Sequence, residues 1–163
     1  MRGWSEVKEL KVSKINNGTV IDHLPPGRAL KVLRLLGIDG SEGFMVLIAM
    51  NVYSKKLGGR KDIVKIENVY LSDEQTKALA LIAPTATINI IRNGEVVEKR
   101  GVTLPDVVEG ILTCPNSSCI SRSKREPIKS KFLVVSKRPL KLKCHYCGEI
   151  IEEKEVSNYI NLR

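Results

Sequence analysis

Aromatic side chains make up only 4% of the 163 residues. Trp4, Phe44, Phe132 and the tyrosines do not recur on alternating strand positions, so the stacking platform that single-strand binders use is missing. Histidine occurs twice, at His23 and His145. No serine or cysteine nucleophile motif accompanies either one, which leaves acid-base and covalent catalysis without its usual groups. A Walker loop, a dinucleotide glycine fingerprint and an internal repeat are all lacking. The longest apolar run, Phe44 to Met50, falls far short of the roughly 18 residues a membrane span needs. The chain begins without a charged, apolar, small-residue leader. Together these absences predict a soluble, cytoplasmic, non-catalytic protein that engages neither nucleic acid nor a membrane.

Cysteine is scarce but concentrated. Cys114 and Cys119 enclose Pro-Asn-Ser-Ser, Cys144 and Cys147 enclose His-Tyr, and these are the only four. Pairs with two or four residues between them let two sulfurs converge on one ion, and the intervening stretch is long enough for a hairpin that returns the second pair. Four thiolates predict a closed zinc cage, structural because no position is left open to water. Two disulfides would need an oxidising compartment, to which nothing in the sequence points. An iron-sulfur cluster could use the same four thiolates. His145, inside the second knuckle, reads as a surface side chain and not a fifth ligand.

At this length the chain could form one domain or two small ones, and a core of under roughly 70 residues is marginal without a metal or partner. The boundary is placed near residue 105, giving domains 1–105 and 106–163. In the first, Glu9 to Ile15 reads as a strand, Asn16-Asn17-Gly18 as a turn and Thr-Val-Ile as a second strand. Arg28 to Leu36 carries one broad apolar face ended by Gly37, a helix that packs on a sheet. Phe44 to Val52 is almost wholly apolar, which predicts a strand covered on both faces, with helices on one side and a second copy of the chain on the other. Ser72 caps a helix running to Ala83, and Ala86 to Arg92, Asn93-Gly94 and Glu95 to Lys99 form a hairpin. The predicted order is β, β, α, β, β, α, β, β, an α+β sandwich with both helices on one face. Gly101 to Glu109 reads as a linker or short helix. Ile128 to Val135 and Leu140 to Lys143 read as strands, Ser121 to Glu126 as an exposed loop, and Glu149 to Ile160 as a last strand or short helix.

The formal charge is +9, and both halves are basic, which favours phosphate-bearing ligands or acidic protein surfaces only where cations converge. The informative cluster is Lys55-Lys56-Leu-Gly-Gly-Arg60-Lys61-Asp62 and the strand after it. On alternating geometry Lys61, Ile63 and Lys65 share a face, with the two ammonium groups roughly 13 Å or less apart, within reach of one triphosphate. The same lysines could instead blunt an edge strand. Asp22-His23, before Leu24-Pro25-Pro26-Gly27, reads either as a hydrogen-bonded turn or as part of a site.

With these blocks in view the chain resembles a known family, the regulatory chain of aspartate carbamoyltransferase. The resemblance rests on Cys-Pro-Asn-Ser-Ser-Cys-Ile-Ser from Cys114, Lys-Cys-His-Tyr-Cys from Lys143, Gly-Thr-Val-Ile-Asp-His from Gly18, Gly-Arg-Lys-Asp from Gly59 and Lys-Ile-Glu-Asn from Lys65. It implies a ferredoxin-like nucleotide-binding domain, an antiparallel sheet with two helices, followed by a small zinc-ribbon-like β domain that docks on the catalytic chain. It implies CTP and ATP as allosteric effectors. Asp22, His23, Lys61, Lys65, Asn89 and Lys99 match family positions around the nucleotide, and Lys14, Ile15, Ile63, Ile91 and Val96 match pocket-lining ones. Gly94, Ser118 and Gly148 depart from polar or tyrosine positions in the family.

Two rival classes remain. A zinc-ribbon protein that binds nucleic acid would share the cysteines and the basic charge, with salt-dependent oligonucleotide binding as its mark. A small-molecule-sensing regulator of another enzyme would share the first domain but a different partner.

Overall fold

The computed structural model describes residues 14–162. Its first half is a five-stranded antiparallel sheet built from β1 (Gly18–Leu24), β2 (Val46–Ser54), β3 (Gly59–Glu67), β4 (Thr87–Arg92) and β5 (Glu95–Gly101), in the order β2-β3-β1-β4-β5. Helices α1 (Ala29–Leu35) and α2 (Asp73–Ile82) cover one face. Without β5, this is the ferredoxin-like arrangement predicted. Strand alternation explains it: Thr19 and Ile21 of β1, Val64 and Ile66 of β3 and Ile88 and Ile90 of β4 are buried toward the helices, and the intervening residues face the other way. Gly18 opens β1 at φ +143°, and a Cβ there would lie 2.1 Å from the Ile66 carbonyl oxygen, so only glycine lets the two strands start flush.

The helix ends are fixed by side chains. Asp62, fully buried, accepts from the Gly27 and Ala29 amides through Oδ2 at 2.9 and 3.0 Å and from the Asn51 amide through Oδ1 at 2.9 Å. One carboxylate thus serves the start of α1 and the irregularity in β2 where its register with β3 shifts. Ser72 and Gln75 form a reciprocal capping box on α2, with Asp73 and Glu74 in its first turn; the acidic side chains complement the positive end of the helix.

The second half is a four-stranded antiparallel sheet of β6 (Val107–Glu109), β7 (Lys131–Lys137), β8 (Leu140–Cys144) and β9 (Ile150–Glu152), in sequence order, followed by the short helix α3 (Val156–Tyr159). Phe132, Leu142 and Ile151 are completely buried in it. The chain from 111 to 113 runs beside the C-terminal segment, with the Thr113 amide donating to Tyr159 O and the Asn161 amide to Ile111 O. A single apolar cluster includes Val32 and Leu79 of the first half and Val108, Leu112 and Val156 of the second.

Several expectations change. The strand over 9–15 lies almost wholly outside the described residues, and Lys14 and Ile15 are not in a strand. The run from Phe44 to Val52 is not covered on both faces within the protomer: β2 is an edge strand, displaced toward Ser54, with Met45, Met50 and Ile48 exposed. The linker over 101–109 holds no helix; residues 107–109 are extended and pair with β7. Glu149 to Ile160 holds both a strand and a helix, in that order.

Candidate functional site

On the sheet face away from the helices, one transverse row crosses three adjacent strands. Lys65 of β3 and Asn89 of β4 both stand opposite Val20 of β1, and Lys99 of β5 stands opposite Asn89. A cavity of about 300 Å³ opens over this row, lined by Lys14, Ile15, Val20, Lys65, Asn89, Ile91, Gly94 and Val96. Six of these were singled out by sequence; Val20 was not, and Gly94 was noted only as a departure. The walls are mainly aliphatic, with two lysines, Lys14 and Lys65, among the lining residues. Burial lowers the Lys65 pKa, opposed by Asp22 and reinforced by Lys14. Asn89 Oδ1 is buried without a hydrogen-bond partner among the described residues, so the floor of the cavity presents an amide able to bond an incoming group.

The second part of the site lies two residues further along β1, some 7 Å at the strand rise. Lys61 Nζ lies 2.9 Å from Asp22 Oδ1, and the His23 amide donates to the same oxygen at 2.6 Å. Burial works against the Asp22 charge, but Lys61 and the His23 amide outweigh it and hold the carboxyl below its ordinary value. His23 adopts φ +57°, its carbonyl accepts from Thr85 Oγ1 at 2.7 Å, and its Nδ1 lies 3.0 Å from Thr87 Oγ1. Burial lowers the imidazole pKa, opposed by Asp22, with Lys56, Lys61 and Lys99 adding to the lowering. Lys56, in the β2–β3 turn, therefore joins the cationic group around His23. The sequence named Lys56 within the basic loop but did not assign it to the site, since nothing in a turn's periodicity tells where its side chain goes. Ile63, between Lys61 and Lys65 on β3, is half-buried on the same face.

The four cysteine sulfurs all lie within 4.8 Å of one another. Cys114 and Cys147 are 3.5 Å apart and Cys119 and Cys144 3.7 Å, close to the roughly 3.8 Å edge of a tetrahedron with metal–sulfur distances of about 2.3 Å. Free thiols at these distances, three of them buried and Cys147 exposed, suit a shared cation. Burial pushes the Cys114 and Cys144 thiols up. At Cys119 burial is outweighed by hydrogen bonds, chiefly with Ser121, whose Oγ is 3.1 Å from the sulfur, and the thiol is lowered to about 7. A central cation favours the thiolate at every position and releases protons as it binds. His145 is exposed, packed edge-on against Tyr146, and outside the cluster.

Comparison with known proteins decides the family. Residues 10–103 match the family model for the allosteric domain of the aspartate carbamoyltransferase regulatory chain, and residues 106–157 match that for its metal binding domain. The chain belongs to the aspartate carbamoyltransferase regulatory chain family. The regulatory chain of Ignicoccus hospitalis is 99% identical over 157 residues, 96% of this chain and all of that one. Those of Hyperthermus butylicus and Sulfolobus acidocaldarius are 58% and 54% identical over 93% and 94% of this chain and 94% and 92% of theirs. As a member of the regulatory chain family this protein is not catalytic, and among its described residues no helix is long and apolar enough to cross a membrane.

Proposed function

We propose that this regulatory chain binds nucleoside triphosphates, CTP and ATP, on the open face of its first sheet and transmits the binding to catalytic chains of aspartate carbamoyltransferase in the cytoplasm. The transverse row of Lys65, Val20, Asn89 and Lys99 beside the Asp22–Lys61 pair carries the reading. The base and ribose sit in the aliphatic cavity between Ile15, Ile91 and Val96, where Asn89 supplies a hydrogen bond. Asp22 accepts from ribose hydroxyls, and Lys14, Lys61, Lys65 and Lys99 meet the phosphates, with Lys56 beside them. Lysines from separate elements suit a flexible polyanion because each ammonium is a mobile point charge.

In this reading residues 1–105 form the effector domain and residues 106–163 hold one structural zinc through Cys114, Cys119, Cys144 and Cys147. The zinc domain docks on the catalytic chain. The exposed apolar edge of the first domain, with Ile48 42% and Leu30 55% exposed, is covered by a second regulatory chain in a two-fold dimer, the simplest closed arrangement. Effectors act through linkage: a nucleotide shifts the assembly by its differential affinity for two quaternary states, typically about 1 to 3 kcal/mol. The deciding experiment reconstitutes the chain with aspartate carbamoyltransferase catalytic subunits and measures aspartate saturation with and without CTP, ATP and UTP. A curve indifferent to all three overturns the reading.

A further inference from the structure

A second polar cavity, of about 460 Å³, lies where α1 and the end of α2 meet the C-terminal segment that follows β9. Lys31 and Arg34 enter it from α1, and Ser157, Asn158 and Asn161 from the C-terminal segment, above an aliphatic floor that includes Leu35. Lys31 and Arg34 are three apart in the helix and so share a face. Among the described residues none of these five polar side chains has a hydrogen-bond or ion-pair partner, and no carboxylate lines the cavity. The cavity therefore offers two positive charges and three neutral groups that can donate.

Two helix carbonyl ends oppose an anion here, those of α1 and α2, and that of α1 is largely neutralised. The Val32, Leu33 and Arg34 carbonyls accept from the Leu36, Ile38 and Gly37 amides, so the last turn presents few free acceptors to the cavity. The arginine fork and the lysine point charge together match a tetrahedral oxyanion. The volume leaves room for two such groups, or for one with a short organic body. α1 packs on the opposite face of the sheet from the nucleotide pocket, so the full thickness of the sheet separates the two sites.

We propose that this cleft is a second anion site, taking a small phosphate-class ligand such as pyrophosphate or a phosphomonoester, which bridges α1 to the C-terminal segment. Bound there, the anion ties the effector half to the metal-binding half and stiffens their joint.

The test is calorimetric titration and thermal melting of the full chain with pyrophosphate and with inorganic phosphate, against sodium chloride of matched ionic strength. Pyrophosphate is expected to raise the melting temperature, with an affinity unchanged in Lys65→Ala and weakened about tenfold or more in Lys31→Ala/Arg34→Ala, whose side chains lie at the surface of the fold. Circular dichroism in sodium chloride checks that the double variant folds. Arg34→Glu, placing a carboxylate in the cleft, should abolish the effect. If binding is lost in Lys65→Ala and kept in the double variant, the anion occupies the nucleotide pocket and the proposal fails. It fails equally if neither phosphate compound binds beyond the salt control at millimolar concentration.

Discussion

Asn89 and Lys99 are register partners across β4 and β5, and the next residue in the row beyond Val20 is Lys65. Lys65 sits on an interior strand, half-buried, where an edge-blunting lysine has no purpose; Lys99 is on an edge. Losing one charge-assisted phosphate contact typically costs about 1.5 to 3 kcal/mol, so Lys65→Ala and Lys99→Ala should each weaken CTP and ATP about tenfold or more. Zinc content and assembly should stay as in the wild type. Calorimetry showing changes under about twofold in both variants would remove the proposed effector site.

The cysteine cage should hold one zinc per chain, and its binding free energy should be folding energy for the second sheet, on the order of 10 kcal/mol as in small zinc domains. Cys144→Ser is expected to lose the metal, lower the melting temperature and release the catalytic subunits. Elemental analysis of freshly purified protein giving less than about half an equivalent would contradict the assignment.

Asp62→Ala leaves three amides, the buried one of Ala29 and the part-buried ones of Gly27 and Asn51, without their acceptor. The expected cost is about 2 to 5 kcal/mol, read by denaturant unfolding. Asp62→Asn, which keeps one acceptor oxygen, should cost less. Equal stability of Asp62→Ala and wild type would show that water reaches these amides.

The Asp22 carboxyl titrates below its ordinary 3.8 in the folded chain, because Lys61 and the His23 amide outweigh burial. A folded value lower than the unfolded one adds stability above about pH 3.8, and that contribution disappears as pH falls through the folded value. Lys61→Met should therefore flatten the acid limb of the stability curve below pH 4 relative to wild type while leaving its shape near neutrality unchanged. Superimposable acid limbs would show that the pair contributes nothing to folding.

The apolar edge around β2 should drive self-association. Sedimentation of the full chain at micromolar concentration is expected to give a dimer, and Ile48→Lys, which charges the exposed edge, a monomer. A monomeric wild type would refute the dimer, and a dimeric Ile48→Lys would move the interface elsewhere.

The sequence was most legible where one physical signal acted alone. Ser72 fixed the start of α2, Asn93-Gly94 the β4–β5 hairpin, and the alternation of Lys61, Ile63 and Lys65 their common face. It was least legible where two signals coincided or none existed. The run from Phe44 to Val52 is apolar on both faces, a pattern that signals cover but does not tell that β2 stands at the edge of its sheet. Residues 107–109 are too short for periodicity and become a strand only because β7 pairs with them. Lys56 stands in a turn, and Thr87 reaches His23 from another strand; neither relationship exists until the sheet has formed. Asp62 looked like the end of a basic loop, and its buried role depends on a helix start over thirty residues earlier.

The apolar cluster shared by the two sheets limits how any message can cross this molecule. Val32 and Leu79 belong to the same packed body as Val108, Leu112 and Val156, and such interiors are dense enough that they slide in small steps before they open. A swing of one half against the other would expose that body to water, so the available motion is shear, spread over many side chains. On heating, the same continuity should make the two halves melt in one calorimetric transition, and damage at the cysteines should register as loosened packing under the first sheet.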